Sequence, residues 1–181
     1  MTEPAVSHPF RVDALPARKP TRFDLVPDTH ARTRLAEALD ILSIDALRFR
    51  GELRPAGKRD WILDAVLVAD VTQACVVTLE PVPARIEEEV TRRYVADLPA
   101  PTSDEIEMPD ETVEPLPVVI DAGAVMIEAL TLALPPFPRA PGAAFAGAFA
   151  TRPGAEPLTE TEVRRPFAGL ADLMKKGGDE G

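Results

Sequence analysis

One cysteine, two histidines and a scatter of carboxylates are the side chains of this sequence best suited to bond chemistry. Cys75 lies in a β-branched run, with Asp70 and Glu80 near it in sequence and no flanking base. A reactive thiolate needs a nearby cation, a helix N-terminus or a metal. These surroundings instead predict a buried structural thiol. His8 falls in a proline-rich start and His30 on the first turn of a helix. Neither has a second histidine at metal-ligand spacing, which argues against zinc. Glu87, Glu88 and Glu89 read as a solvated strand edge, not as an acid–base pair with separated pKa values. Asp121 and Glu128 can share one helical face. Capping is a sufficient role for Asp121, and Glu128, an acid in an otherwise apolar helix, reads as a satisfied polar edge. No glycine-rich phosphate loop of either common kind is present. The expectation is a protein that is not an enzyme, holds no cofactor or metal, and takes no small-molecule substrate.

The basic residues have more pattern. Arg48, Arg50, Arg54, Lys58 and Arg59 fall along one predicted hairpin, and a positive ribbon of that kind can track phosphates. Phe49 and Trp61 are the aromatic residues there that could stack on unpaired bases. The plainer reading is an ordinary exposed hairpin. A formal charge of −10 argues against polyanion binding over the whole surface. The charge is also uneven: residues 1–60 hold 11 Lys/Arg against 9 Asp/Glu, whereas residues 94–138 hold 9 acids and no Lys or Arg.

The elements that must position these groups follow from periodicity and punctuation. Residues 1–20 contain prolines and no period, which predicts a loose arm. Residues 21–26 alternate as a first strand. Asp28 or Thr29 then starts a helix whose stripe is Leu35, Ala38, Leu39 and Leu42, with Arg32, Arg34, Glu37 and Asp40 on a solvated face. Residues 45–53 alternate as a strand, residues 54–60 make a turn, and residues 61–71 suit a strand buried on most of its length. Strand character continues through residues 73–79, with a corner or hairpin at Pro81-Val82-Pro83. In residues 85–95, Ile86, Val90 and Tyr94 fit a helix or one side of a strand, and the β-branched content favours the strand. Residues 98–117 carry five prolines and six acids, the composition of a mobile excursion. Residues 118–120 resume as a short strand, and Asp121 caps a helix running through Leu134 to a hard stop at Pro135. That helix is apolar on both sides, so it is either deeply buried or partly awaiting a partner. After a Pro/Gly/Ala-rich stretch, residues 167–176 form a short amphipathic helix. It is either a docking peptide, with Phe167, Leu170, Leu173 and Lys175 as candidate contacts, or a terminal helix packed back on the domain.

Three segments then line up in order. Cys75 to Val82 (CVVTLEPV), with Cys75, Leu79 and Pro81, resembles the C-x-R-C-L-x-P-F element of the YceD family, the large ribosomal RNA subunit accumulation proteins. Residues 119–138, with Asp121, Glu128, Leu134, Pro135 and Pro138, resemble its I-D-x(6)-E-x-x-x-L-x-L-P-x-x-P element. Residues 165–175, with Pro166 and Phe167, are similar to its terminal N-P-F-x-x-L-x-x-L-K motif. Many relatives carry a second cysteine where this chain has Thr78, so a metal-binding reading of such cysteines does not transfer. The resemblance implies a non-enzymatic part in synthesis, processing or accumulation of large-subunit (23S) ribosomal RNA.

Composition and resemblance together set the expectations. The fold class is α+β: a curved antiparallel sheet or partial barrel of about five strands with two packed helices. Residues 1–20 form the arm, 21–138 a single domain with the excursion at 98–117, 139–163 a linker, and 164–181 the docking motif. The longest apolar run is far short of the roughly 20 residues that cross a bilayer, the start lacks a secretory apolar segment, and one cysteine suits a reducing compartment. That points to the cytoplasm. The leading function is a ribosome-biogenesis factor that binds a large-subunit rRNA precursor or a pre-ribosomal particle. The alternative is an acidic adaptor that holds a basic ribosomal protein.

Overall fold

In the computed structural model, residues 6–97 and 112–144 are described. Residues 6–143 belong to one compact unit. Its elements are β1 (Pro9–Arg11), β2 (Thr21–Leu25), α1 (Thr29–Ala38), β3 (Ser43–Ala56), β4 (Asp60–Ala74), β5 (Pro81–Val95), β6 (Val113–Pro115), β7 (Val119–Asp121) and α2 (Ala122–Ala133). The main sheet has the order β2-β3-β4-β5-β6, and β1 pairs with β7 in a separate two-stranded sheet. All pairings are antiparallel except that of β5 with β6. The architecture is α+β as expected, with a mixed sheet that does not close into a barrel.

Strict alternation builds the core. On β4, Trp61, Leu63, Ala65, Leu67, Ala69 and Val71 are buried at every second position. Ile86, Val90 and Tyr94 continue that face on β5, so the reading of residues 85–95 as a strand holds. The face is completed by Phe49 and Leu53 of β3 and by Val125, Met126, Ala129 and Leu130 of α2. A register shift between Ile44 and Ala46 lets both Ile44 and Leu47 point inward despite their odd spacing. β4 is therefore buried along the whole of residues 61–71, on one face. Its outward Val66 keeps 39% of its area exposed.

Several boundaries differ from the sequence reading, each for a physical reason. Residues 9–14 are not a loose arm. Phe10 pairs with Ile120 and stacks near Phe23, 5.8 Å between ring centroids, so apolar burial docks the segment. The helix at Thr29–Ala38 stops earlier than its stripe suggested because Asp40 turns into the left-handed region at φ 54, leaving Leu42 56% exposed. Arg32 is not simply solvated: its guanidinium donates to the carbonyls of Ile44 and Pro27. β4 ends at Ala74, and residues 75–79 form the turn into β5. The β4–β5 hairpin is therefore present with its turn just before Pro81, and Pro81 and Pro83 themselves make no corner. They lie within β5, opposite Ala74 and Thr72.

The strand position of those prolines follows from the edge they face. Arg93 donates its N–H to Thr112 on the β6 side. Successive residues of a strand aim their backbone groups to opposite sides. Odd-numbered residues of β5 therefore point away from β4, and a proline there removes no bond from the β4–β5 ladder. Finally, residues 113–115 of the expected excursion pair with β5 as a parallel strand. The stretch of that excursion at residues 98–111 lies outside the described residues.

Candidate functional site

The first two family-like segments converge at the β4–β5 turn. Cys75 and Glu80 close it, with the Cys75 N–H donating to Glu80 and the Leu79 N–H to Cys75. The segment after α2 then lies against it. The Val76 N–H donates to the Pro138 carbonyl at 2.9 Å, and the Gln73 amide to that of Pro135 at 3.2 Å. Cys75, Pro135 and Pro138, 60 or more residues apart in sequence, thus share one junction. Leu79 stands at its surface, 76% exposed and at φ 63, a conformation that a non-glycine residue adopts at a cost. Phe137 is 75% exposed.

Cys75 sits among hydrogen-bond donors. Its Sγ accepts N–H groups from Ala140 at 3.3 Å and from Val77 and Thr78 at 3.4 Å each. The Ala140 N–H contributes most, then the Thr78 hydroxyl, and together they pull the thiol pKa down to about 6. The residue has no exposed surface. Burial opposes ionisation, and these donors outweigh it. The reading of Cys75 as a buried thiol holds, and the donors around its sulfur, which lower the pKa without a neighbouring cation, are what the sequence does not show. We therefore expect the thiolate ultraviolet band to be present at neutral pH and to disappear as the solution is acidified through about pH 6. Iodoacetamide should modify Cys75 slowly until the chain is unfolded, because the sulfur is covered.

The other two motif carboxylates serve packing. Asp121 caps α2, its Oδ1 accepting from Gly123 at 2.8 Å and Ala124 at 3.3 Å. The same carboxylate takes the His8 N–H and the Ser7 hydroxyl. Glu128 accepts from Arg92 at 2.6 Å. Arg92 Nε also lies 3.2 Å from Glu114, within ion-pair range though outside hydrogen-bond geometry. Arg92 is only 15% exposed and ties β5 to β6 and α2. Leu134 ends α2, donating to Leu130. Pro166, Phe167, Leu170, Leu173 and Lys175 lie outside the described residues.

The basic hairpin is present, but most of its charge is answered. Arg48 grips Asp24 with two hydrogen bonds, at 2.8 and 2.5 Å. Arg54 bonds Asp64 at 2.8 Å, and Arg59 pairs with Asp97 at 3.1 Å. Arg50 and Lys58 have no ion pair among the described residues. Arg48 and Arg50 line an open groove of about 940 Å³ on the solvent side of the sheet. Val66 and Val68 floor that groove, and Glu89 and Thr91 stand among its opposite lining residues. The two aromatic candidates are core residues, Phe49 with no exposed area and Trp61 with 6%. Neither is available to stack on a base.

The described residues contain no group of His, Cys, Asp and Glu able to hold a metal. Among them, no helix is long and apolar enough to cross a membrane.

The geometry is that of a small α+β scaffold whose shared-motif residues organise a turn, a cap and an ion-paired joint. A family model described as "Large ribosomal RNA subunit accumulation protein YceD" matches residues 63–174. The chain belongs to this family, which ties it to ribosome biogenesis and the accumulation of 23S ribosomal RNA. No curated protein and no solved structure matches it.

Proposed function

We propose that this protein supports large-subunit ribosomal RNA accumulation by holding a basic protein of the assembling subunit. In this reading it acts without chemistry and without gripping RNA through the β3–β4 hairpin. The observation that carries the choice is the pairing of Arg48, Arg54 and Arg59 with Asp24, Asp64 and Asp97. Phosphate contact at those arginines would place RNA beside the paired carboxylates, where like charges repel. The formal charge of −10 acts in the same direction. For a basic protein partner the same field is attractive and accelerates encounter.

The test is a crosslinked pull-down from cells with and without RNase. A basic protein retained after RNase is the expected result. A parallel variant changes Arg48, Arg50, Lys58 and Arg59 to glutamine, and it should leave 23S accumulation intact. Loss of accumulation in that variant, together with RNase-sensitive capture, would return the hairpin to an RNA-binding role.

A further inference from the structure

β6 covers only residues 93–95 of the outer edge of β5. By the alternation described above, the backbone groups of Arg85, Glu87, Glu89 and Thr91 point to that same edge. No described strand pairs with them there. Exposed edges are usually blunted by prolines and charges. Pro81 and Pro83 remove donors at one end only; from Arg85 onward the amide donors are intact and the edge is guarded by the charges of residues 87–89, which a basic strand would neutralise. A groove of about 460 Å³ runs beside this stretch, lined by residues 88–92 of the strand, including Arg92, by Thr112, and by Ala129, Leu132 and Ala133 on α2. Leu132, from the second apolar side of the helix, is 74% exposed.

We propose that the open edge of β5 takes up an extended basic segment of a partner protein as an added strand. The inference rests on the reading that the chain holds a basic protein, and it names the place and the mode. Backbone hydrogen bonds supply the affinity of such an addition, and alternate side chains supply its specificity. Glu87, Glu88 and Glu89 make no ion pair among the described residues. Glu87 and Glu89 project to one side of the sheet and Glu88 to the other, toward α2. An added strand would therefore present lysine or arginine toward Glu87 and Glu89. Its alternate residues would be apolar, set against Ala129, Leu132 and Ala133. Other occupants fit less well. Pairing two β5 edges would set glutamate beside glutamate, which destabilises a sheet. Residues 98–111 of this chain carry five acids and no base, so charge opposes them as well.

The test follows residue-resolved amide exchange of the full chain with a synthetic peptide of alternating lysine and valine. A peptide of alternating glutamate and valine is the control. The lysine peptide should slow exchange about tenfold at Arg85, Glu87, Glu89 and Thr91. Glu88 and Val90, which bond inward to β4, should not change. Glu87→Pro removes an edge donor without touching the β4 ladder, as Pro83 already does, and should weaken binding about tenfold. The inference is overturned if the lysine peptide binds without slowing the odd-numbered amides, or fails to bind. It is also overturned if the glutamate peptide binds equally, or if those amides are already protected without peptide. None of these results touches RNase-resistant capture of a basic protein. Loss of that capture, with peptide binding at the edge intact, would remove the underlying reading instead.

Discussion

Asp121→Ala should destabilise the protein by about 2–3 kcal/mol, seen as a lower urea midpoint with an unchanged slope. The carboxylate does two jobs that are usually separate. As the N-cap of α2 it accepts from Gly123 and Ala124, and loss of such a cap alone costs about 1 kcal/mol. It also accepts from the His8 N–H at 2.8 Å and the Ser7 hydroxyl at 2.7 Å, which ties down the segment leading into β1. Hydrogen bonds to a charged group are worth about 1.5–3 kcal/mol, discounted here because the site is partly open to solvent. Partial burial works against ionisation of Asp121. The donors from His8, Ser7, Gly123 and Ala124 outweigh it and hold the carboxyl below the usual carboxylate range. A carboxyl depressed on folding contributes stability that is complete above its unfolded pKa. That contribution is lost as pH falls through the folded value. The gap between the native protein and Asp121→Ala should therefore be widest near neutrality and close progressively below about pH 4. Asp121→Asn, which keeps one acceptor, should fall between the two. A gap that stays constant down to acid pH would mean the charge contributes nothing.

What could be read in advance was local, and what could not was long-range. Asp28 and Asp121 announced both helices because a cap acts within three residues of itself. The spacing of Ile86, Val90 and Tyr94 suited helix and strand alike, and the β-branched content put β5 on the sheet, where these three lie on the one apolar face that pairing with β4 demands. The second role of Asp121 was hidden, since its Ser7 donor is 114 residues away. The same holds for Cys75, whose strongest donor, Ala140, is 65 residues distant and carries no charge to betray it. The basic hairpin shows the same limit from the other side. Five cations in one ribbon are legible as a candidate phosphate track, but the fold alone shows that the neighbouring strand brings Asp24 beside Arg48. Three adjacent glutamates looked like an ordinary solvated edge. Only the strand order shows that no described strand pairs with residues 85–91 along this edge, which runs beside a groove shared with α2.

Gly51→Ala should cost about 2–3 kcal/mol, and Gly51→Val should leave little folded protein, by thermal or urea unfolding. In most strands the change to alanine would help, because glycine in a strand interior is the poorer residue by about 0.5–1 kcal/mol. Here the sign reverses. A Cβ on residue 51 would overlap the Asp64 carbonyl oxygen and meet Ala65 Cβ and Cα at 2.5 and 2.7 Å. Two of these atoms are backbone and the third is fixed to it, so no rotamer change relieves the overlap. The close approach has a structural origin. β3, β4 and β5 run for 14, 15 and 15 residues, and twist accumulates along strands of such length. Gly51 and Ala65, both small, face each other in register near the middle of these strands. A side chain at residue 51 should push apart β3 and β4, the strands that carry Arg50 and Val66 on the solvent side. Gly57 separates this packing argument from backbone freedom. It sits in the β3–β4 turn at φ 74, and a Cβ there would have no neighbour within 4 Å. Gly57→Ala therefore suffers only the left-handed penalty of about 1–2 kcal/mol. If Gly51→Ala proved neutral or stabilising while Gly57→Ala lost stability, the strands could not cross as closely as this sheet requires.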